Sequence, residues 1–349
     1  MKILAIDTAG YSVSVAITEN NQVLFNEVVS FPVSFPPNGN LDDVFNFLPQ
    51  LHQKSILNLI EEGLKKIKLD WDDIDAIAAS AYSGIYHCVL VGLATASALS
   101  HFHKKPLIIA DHISAHIYSC WIERSPREFL FPILVFSASG SHSGFSLITG
   151  LNECKILYDR VPKETVGNTE TFIGIGKLFD KISRSLNIVS SESDIKKFVK
   201  IASKGNSHKF DFISGYRGGL FDFDFSELIL MIDKLKWKQE RKSKMNPKFI
   251  QDVAASFQES ICAILTRKIF EVAEITKAKE IHINGGISND EYLKKKLRKK
   301  IAKEKLDFVL RYPAKKEYRL DNAAMIGVLA YYQQKYKIKF ANFWPQVTR

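Results

Sequence analysis

The sequence predicts an α/β fold built from a duplicated lobe, with ligand held between the two copies. Three observations carry that expectation. The chain has 349 residues, more than one compact domain usually holds. It contains two three-stranded meanders, and each feeds helices and further short buried strands. In the first half, Lys2–Asp7 is an apolar run ending in an acid, and Ser12–Thr18 and Val23–Val29 alternate, with Gly10 and Asn20-Asn21 at the turns. Phe31 to Asn40 is rich in Pro, Ser, Gly and Asn and predicts a loop. Helical spacing returns from Asp43 to Lys68, and Ile74–Ala79 is a buried strand. Gly84 opens a turn into a helix over Val89–Leu99, and Pro106–Ala110 is another strand. Asp111 is placed to cap a helix beginning near His112.

The pattern restarts at Phe131. Ile133–Phe136 is apolar, Ser137–Gly144 is a Ser/Gly turn, and Phe145–Thr149 and Lys155–Asp159 complete a second meander. Helices are predicted at Asn168–Leu186, Ser226–Trp237 and Pro247–Ala278. A buried strand at Glu280–Asn284, the Gly285-Gly286 turn and a lysine-rich helix after Ser288 follow.

Composition narrows the class. Hydrophobic residues make up 46% and charged residues 25%, which excludes a disordered or fibrous chain. Cys88, Cys120, Cys154 and Cys262 lie far apart, so neither a disulfide framework nor a thiolate zinc site is signalled, and a reducing compartment is expected. The uncharged stretch from Ala76 to His103 is broken by Gly84, Gly92, serines and histidines, and reads as strand, turn and helix rather than a membrane span. Asp7 comes too early for a signal peptide, so the expected location is cytoplasmic. The net charge of +10 is unevenly spread: the first hundred residues hold 5 Lys/Arg against 11 Asp/Glu, and the rest 43 against 27. That asymmetry predicts a polyanionic partner for the second half, against the plainer reading of a solvated basic face.

The strongest chemical signal is His112-Ile-Ser-Ala-His116. Residues four apart stand one turn above each other on a helix, so both imidazoles can reach one divalent metal from one face. Two polar surface histidines are the alternative. A third ligand is needed, and Asp321, before Asn322-Ala-Ala-Met-Ile-Gly, is the candidate; an N-cap role has the same spacing. Three segments have the composition of phosphate-binding turns: Asp7-Thr8-Ala9-Gly10, Ser139-Gly140-Ser141-His142-Ser143 and Gly285-Gly286-Ile287-Ser288. Each is also an ordinary turn. The basic helix Glu291–Lys305 offers phosphate contacts for a nucleic acid, with Lys295 and Lys299 as candidates, or is simply solvated.

Together these residues resemble a family. The HxxxH pair, the Ser139–Ser143 turn, Phe179-Asp180-Lys181, Phe221-Asp222-Phe223-x-Phe225-Ser226, Gly285-Gly286-Ile287-Ser288 and Asp321-Asn322-x-Ala324-Met325-Ile326 occur in the order found in the tRNA threonylcarbamoyladenosine transferases. The similarity runs nearly end to end, and the chain resembles the bacterial catalytic subunit. It implies an actin-like ATPase (ASKHA) fold with two ribonuclease-H-like lobes and a central cleft: residues 1–125, residues 126–320, and a segment 321–349 closing the cleft. It implies transfer of threonylcarbamoyl from threonylcarbamoyl-AMP to N6 of adenosine 37 in ANN-decoding tRNAs. His112, His116 and Asp321 would hold Fe2+ or Zn2+. Ser137, Ala138, Ser139, Gly140, Ser141 and Asp180 would line the pocket for threonylcarbamoyl-AMP or ATP, and Asp290 would meet the nucleotide. A smaller paralogous subunit and a separate ATPase would be partners, in a homo- or heterodimeric arrangement, without a membrane.

The chain also departs from the family. Asp7-Thr8-Ala9-Gly10-Tyr11-Ser12 stands where the family has Glu-Thr-Ser-Cys-Asp-Glu, so two acids are missing near the phosphates. Ser141 replaces a glycine, and Phe172 to Lys177 and Val189 to Ser193 replace two further family segments. Two alternatives therefore stand beside the enzyme: a non-catalytic scaffold of the same complex, and a small-molecule kinase of the same fold. A protease is not indicated, because Ile113 occupies the position of a zincin's general base.

Overall fold

The computed structural model describes residues 1–31, 41–138, 143–160, 174–188, 195–216 and 218–342. The predicted Ser139–Ser141 pocket turn, the loop after Phe31, the start of the helix expected at Asn168 and the segment Val189 to Ser193 lie outside the described residues.

Strands β1 (Lys2–Asp7), β2 (Ser12–Glu19) and β3 (Gln22–Ser30) form the expected antiparallel meander. Helix α1 (Leu41–Ile67) leads to β4 (Ala76–Ala81), and α2 (Tyr86–His103) leads to β5 (Leu107–Asp111). The sheet order is β3-β2-β1-β4-β5, with β1, β4 and β5 parallel. A short helix, α3 (His112–Ile117), follows directly, and the chain then repeats itself. Strands β6 (Ile133–Ala138), β7 (Ser143–Gly150) and β8 (Glu153–Arg160) form the second meander. Helices α4 (Ile175–Ser185), α5 (Ile195–Ala202), α6 (Ser226–Lys242) and α7 (Pro247–Ile275) come next. The chain continues through β9 (Glu280–Asn284), α8 (Glu291–Glu304), β10 (Val309–Arg311), α9 (Ala323–Tyr336) and β11 (Lys339–Asn342). The second sheet runs β10-β9-β6-β7-β8-β11. From β8 to β10 it reproduces the order of the first sheet, so the two lobes share one topology.

Strand periodicity explains the layers. Leu4 and Ile6 of β1 turn to one face, where Ile56, Leu59 and Ile60 of α1 cover them. Ile3 and Ala5 turn to the other, into a core shared with α9, Trp121 and the second-lobe residues Ile133 and Val135. Helix α9 thus lies against the first sheet, where Gly327 approaches Thr18 and Ala5, while β11 joins the second sheet beside β8. The far face of the second sheet is closed by α4 through α8. There Phe223 packs on Phe136 and Phe145, with ring centroids 5.6 and 5.4 Å apart. The aromatic positions of the Phe221–Ser226 motif are therefore core. Lys268 of α7 fixes the same segment, donating to the carbonyls of Gly219, Leu220 and Asp222.

The lobes are joined by a polar clamp. Asn284, at the end of β9, is fully buried; its Nδ2 donates to the carbonyls of His116 (2.7 Å) and Ile117 (3.0 Å), and its Oδ1 accepts from Cys120 Sγ. A residue of the second sheet thereby holds the carboxyl end of α3.

Candidate metal centre

The carboxyl ends of parallel β1, β4 and β5 form one edge of the first sheet, the side on which open α/β sheets bind ligands. Asp7 closes β1 and Asp111 closes β5, and Ala81 of β4 lies in register with Asp111. Asp111 caps α3, its Oδ1 accepting from the Ser114 amide at 2.7 Å, as the sequence predicts. The helix that begins there carries both histidines one turn apart, ring centroids 4.8 Å from each other.

Asp321 reaches the same point from 205 residues away: its Oδ1 lies 3.1 Å from His116 Nε2 and 3.7 Å from His112 Nε2. One donor atom from each of His112, His116 and Asp321 falls within 4.8 Å of the others. The cap of α9 is Asn322, through a bond from the Met325 amide, and not Asp321. Asp321 precedes the cap and is turned to the imidazoles, with 37% of its side-chain surface exposed, so the cluster is open on one side.

Asp7 has a role the sequence did not reveal. Expected in a phosphate turn, it places both carboxylate oxygens 3.1 and 3.2 Å from His112 Nδ1. It also accepts from the Ala9 amide at 3.1 Å. With Nδ1–H engaged by Asp7, His112 presents Nε2 to Asp321; carboxylates behind ligating histidines fix the tautomer in this way. Burial pulls the His112 imidazole down, but Asp7 and Asp321 overcome it and raise it to about 9. Burial likewise pushes the Asp321 carboxyl up, and His112 and His116 outweigh it, leaving Asp321 well below the usual carboxylate range. Asp7 is also lowered, burial being overcome by His112. Two carboxylates facing two imidazoles match a divalent cation in charge, and the N, N, O donor set with an open side suits iron or zinc. The residues present fit such a group.

The second lobe supplies a matching edge. Gly285 has φ +77°, and a Cβ there would sit 2.3 Å from the Ala138 carbonyl, so only glycine lets the β9 turn close on the end of β6. Gly84 does the same in the first lobe, with φ +117° and its Cβ position 2.4 Å from the Ala9 carbonyl. Beside the Gly285-Gly286 turn, Ser137 is buried, and its hydroxyl has no hydrogen-bond partner among the described residues. Helix α4, which carries half-buried Asp180, packs near the same turn, while Phe179 is buried in the core. Thr8 is buried, with its amide on Ser80 Oγ at 3.3 Å.

The turn differs from the expected strand, glycine turn and helix. A single 3-10 turn, Gly286–Asn289, intervenes before α8, and Asp290 caps that helix through the amides of Tyr292 and Leu293. The amino end of α8 is thus neutralised by its own carboxylate, not left open for a phosphate. Lys295 and Lys299 are exposed on α8, away from these contacts.

Two ribonuclease-H-like lobes of one strand order, each with a glycine turn at the carboxyl edge of its sheet, define the actin-like ATPase class. T. kodakarensis HypF has this fold, at a TM-score of 0.62 and 15% identity, over 97% of this chain and 48% of that one. The chain belongs to the tRNA N6-adenosine threonylcarbamoyltransferase family, whose sequence pattern matches residues 47–328. Among its relatives is the tRNA N6-adenosine threonylcarbamoyltransferase of Nostoc punctiforme, 32% identical over 94% of this chain and 90% of that protein. The protein of the same name from Trichodesmium erythraeum is 30% identical over 93% and 97%.

Proposed function

We propose that this chain transfers threonylcarbamoyl from threonylcarbamoyl-AMP to N6 of adenosine 37 in ANN-decoding tRNA, at a metal centre of His112, His116 and Asp321. The observation that supports the reading most is the convergence of three donor side chains from two distant segments, backed by Asp7. A non-catalytic scaffold or a kinase has no use for that set.

A bound Fe2+ or Zn2+ would supply Lewis acidity, favouring negative charge on the carbamoyl oxygen during attack. The chain's own residues do the rest. Asp7 holds His112 in one tautomer, and Asp111 and Asn284 fix the two ends of α3, so the imidazoles are placed before substrate arrives. The Gly285-Gly286 turn exposes backbone at the end of β9, where the adenylate phosphate can approach closely. Ser137, whose hydroxyl has no partner among the described residues, would line that edge, and Ala138, Ser139, Gly140, Ser141 and Asp180 would complete the pocket, with Asp290 at its nucleotide side. The N6 amine forms a C–N bond to the carbamoyl carbon, the bond from that carbon to phosphate oxygen breaks, AMP leaves as an anion, and the proton lost from N6 passes to solvent.

The lobes correspond to residues 1–125 and 126–320, with 321–349 closing the cleft; α9 on the first sheet and β11 on the second support that bridging role. Lys295 and Lys299 contact tRNA phosphates, and a smaller paralogous subunit and a separate ATPase complete a cytoplasmic assembly. Among the described residues no helix is long and apolar enough to cross a membrane. Metal analysis tests the centre: purified protein should carry iron or zinc near one equivalent, lost in His112→Ala and His116→Ala. Metal-free protein that gains none on addition of either ion would refute it.

A further inference from the structure

We propose that Tyr82 and Tyr86 form a stacking platform for the unpaired anticodon-loop bases that flank the target adenosine. The proposal rests on the function above and names the part of the protein that would recognise its substrate. The basic helix α8 carries the charge for a nucleic acid but not a run of aromatic side chains. Two exposed aromatics lie close together on the first lobe: Tyr82 is 85% exposed and Tyr86 69%, the first on the turn after β4 and the second opening α2.

That turn is tied at three points to the segments that flank the candidate metal centre. Ser83 Oγ donates to Asp111 Oδ2 at 2.7 Å, and Asp111 caps the helix that carries His112 and His116. The Ile85 amide donates to the Ala9 carbonyl at 2.8 Å, and Gly84 packs on the same residue. Tyr82 itself is held at φ +69°, a conformation a bulky side chain rarely adopts. The platform therefore stands beside the carboxyl edge, between the ends of β1 and β5. Neutral ring faces stack on bases whatever the charge around them. A loop base turned into a catalytic site leaves its neighbours without a stacking partner, and protein aromatics commonly replace it.

The test measures binding and turnover separately on the full chain with its partners. Tyr82→Ala and Tyr86→Ala should each weaken tRNA affinity roughly ten-fold and raise the KM for tRNA in step, with metal content unchanged. Tyr82→Phe and Tyr86→Phe should stay within about two-fold of the wild type, since the ring is retained. Alanine variants that bind as tightly as the wild type overturn the platform, as do phenylalanine variants that lose as much as alanine. Unchanged tRNA affinity with loss of a protein partner would also overturn it, assigning the face to that partner. A wild type that binds tRNA through these tyrosines yet transfers nothing would refute the function and leave the platform standing. Transfer with an unaltered KM in the double alanine variant would do the reverse.

Discussion

Asp7 illustrates how a residue behind the histidine pair can shape the candidate site. The HxxxH spacing and the distant Asp321 are legible in the sequence, because each carries its own pattern. The Asp7–His112 pair is not, since the two are 105 residues apart and an acid at the end of a first strand reads equally well as a turn residue. Asp7→Asn frees the tautomer of His112, and a fall in metal affinity of about 10- to 100-fold is expected, measured by competition with a chelator. Unaltered affinity would deny Asp7 its orienting role. Asn284 acts in the same manner from the other lobe. Asn284→Ala leaves the His116 and Ile117 carbonyls buried without donors, a loss of about 1–3 kcal/mol for each unsatisfied group. Asn284→Asp sets carboxylate oxygens against the two carbonyls and should lower the melting temperature further than alanine. Equal melting of wild type and both variants would show that the clamp is not needed.

At the level of elements, long periodic segments are the legible ones. Helices α1, α6 and α7 start within two residues of their expected positions because an amphipathic pattern and an N-terminal signal coincide. Strands β10 and β11 escape because three or four residues carry no period, and their pairing is dictated by β9 and β8 rather than by their own sequence. The buried group at the base of β9 was equally hidden. Glu280 accepts from the Leu130 amide at 3.0 Å, Arg311 Nε at 2.8 Å and His282 Nε2 at 3.1 Å, tying β9 to β10 and to the loop before β6. Burial raises its carboxyl, but His282, Arg311 and the Leu130 amide overcome this and bring it from 4.5 to about 2. A carboxylate depressed in the fold adds stability that is complete above its unfolded value and lost as pH falls through its folded value. Thermal melts should therefore decline between pH 4.5 and about 2, and Glu280→Gln should flatten that decline. The same variant should cost about 3 kcal/mol at neutral pH, the low end for a broken buried pair, because Arg311 keeps some contact with water. On α8, charge reversal at Lys295 and Lys299 should weaken tRNA association and shallow its salt slope by about two contacts. An unchanged slope would clear that helix of phosphate contacts.

Across the whole molecule, the duplication was readable as two meanders, and the structure turns it into a shared strand order with matched glycine turns at Gly84 and Gly285. What the sequence withheld is how the copies face each other, since that depends on α9, β11 and Asn284, each of which bridges elements far apart in the chain. The unequal charge of the two halves fits the proposed function, in which the basic half would attract the polyanion. The central claim is that this arrangement modifies tRNA. Unmodified ANN-decoding tRNA would be incubated with threonine, bicarbonate, ATP, the adenylate-forming enzyme and the partner proteins, with either the wild type or His112→Ala, and its nucleosides analysed by mass spectrometry. Threonylcarbamoyladenosine should appear with the wild type and be absent with His112→Ala. Its absence from both reactions, or equal amounts in the two, would contradict the account.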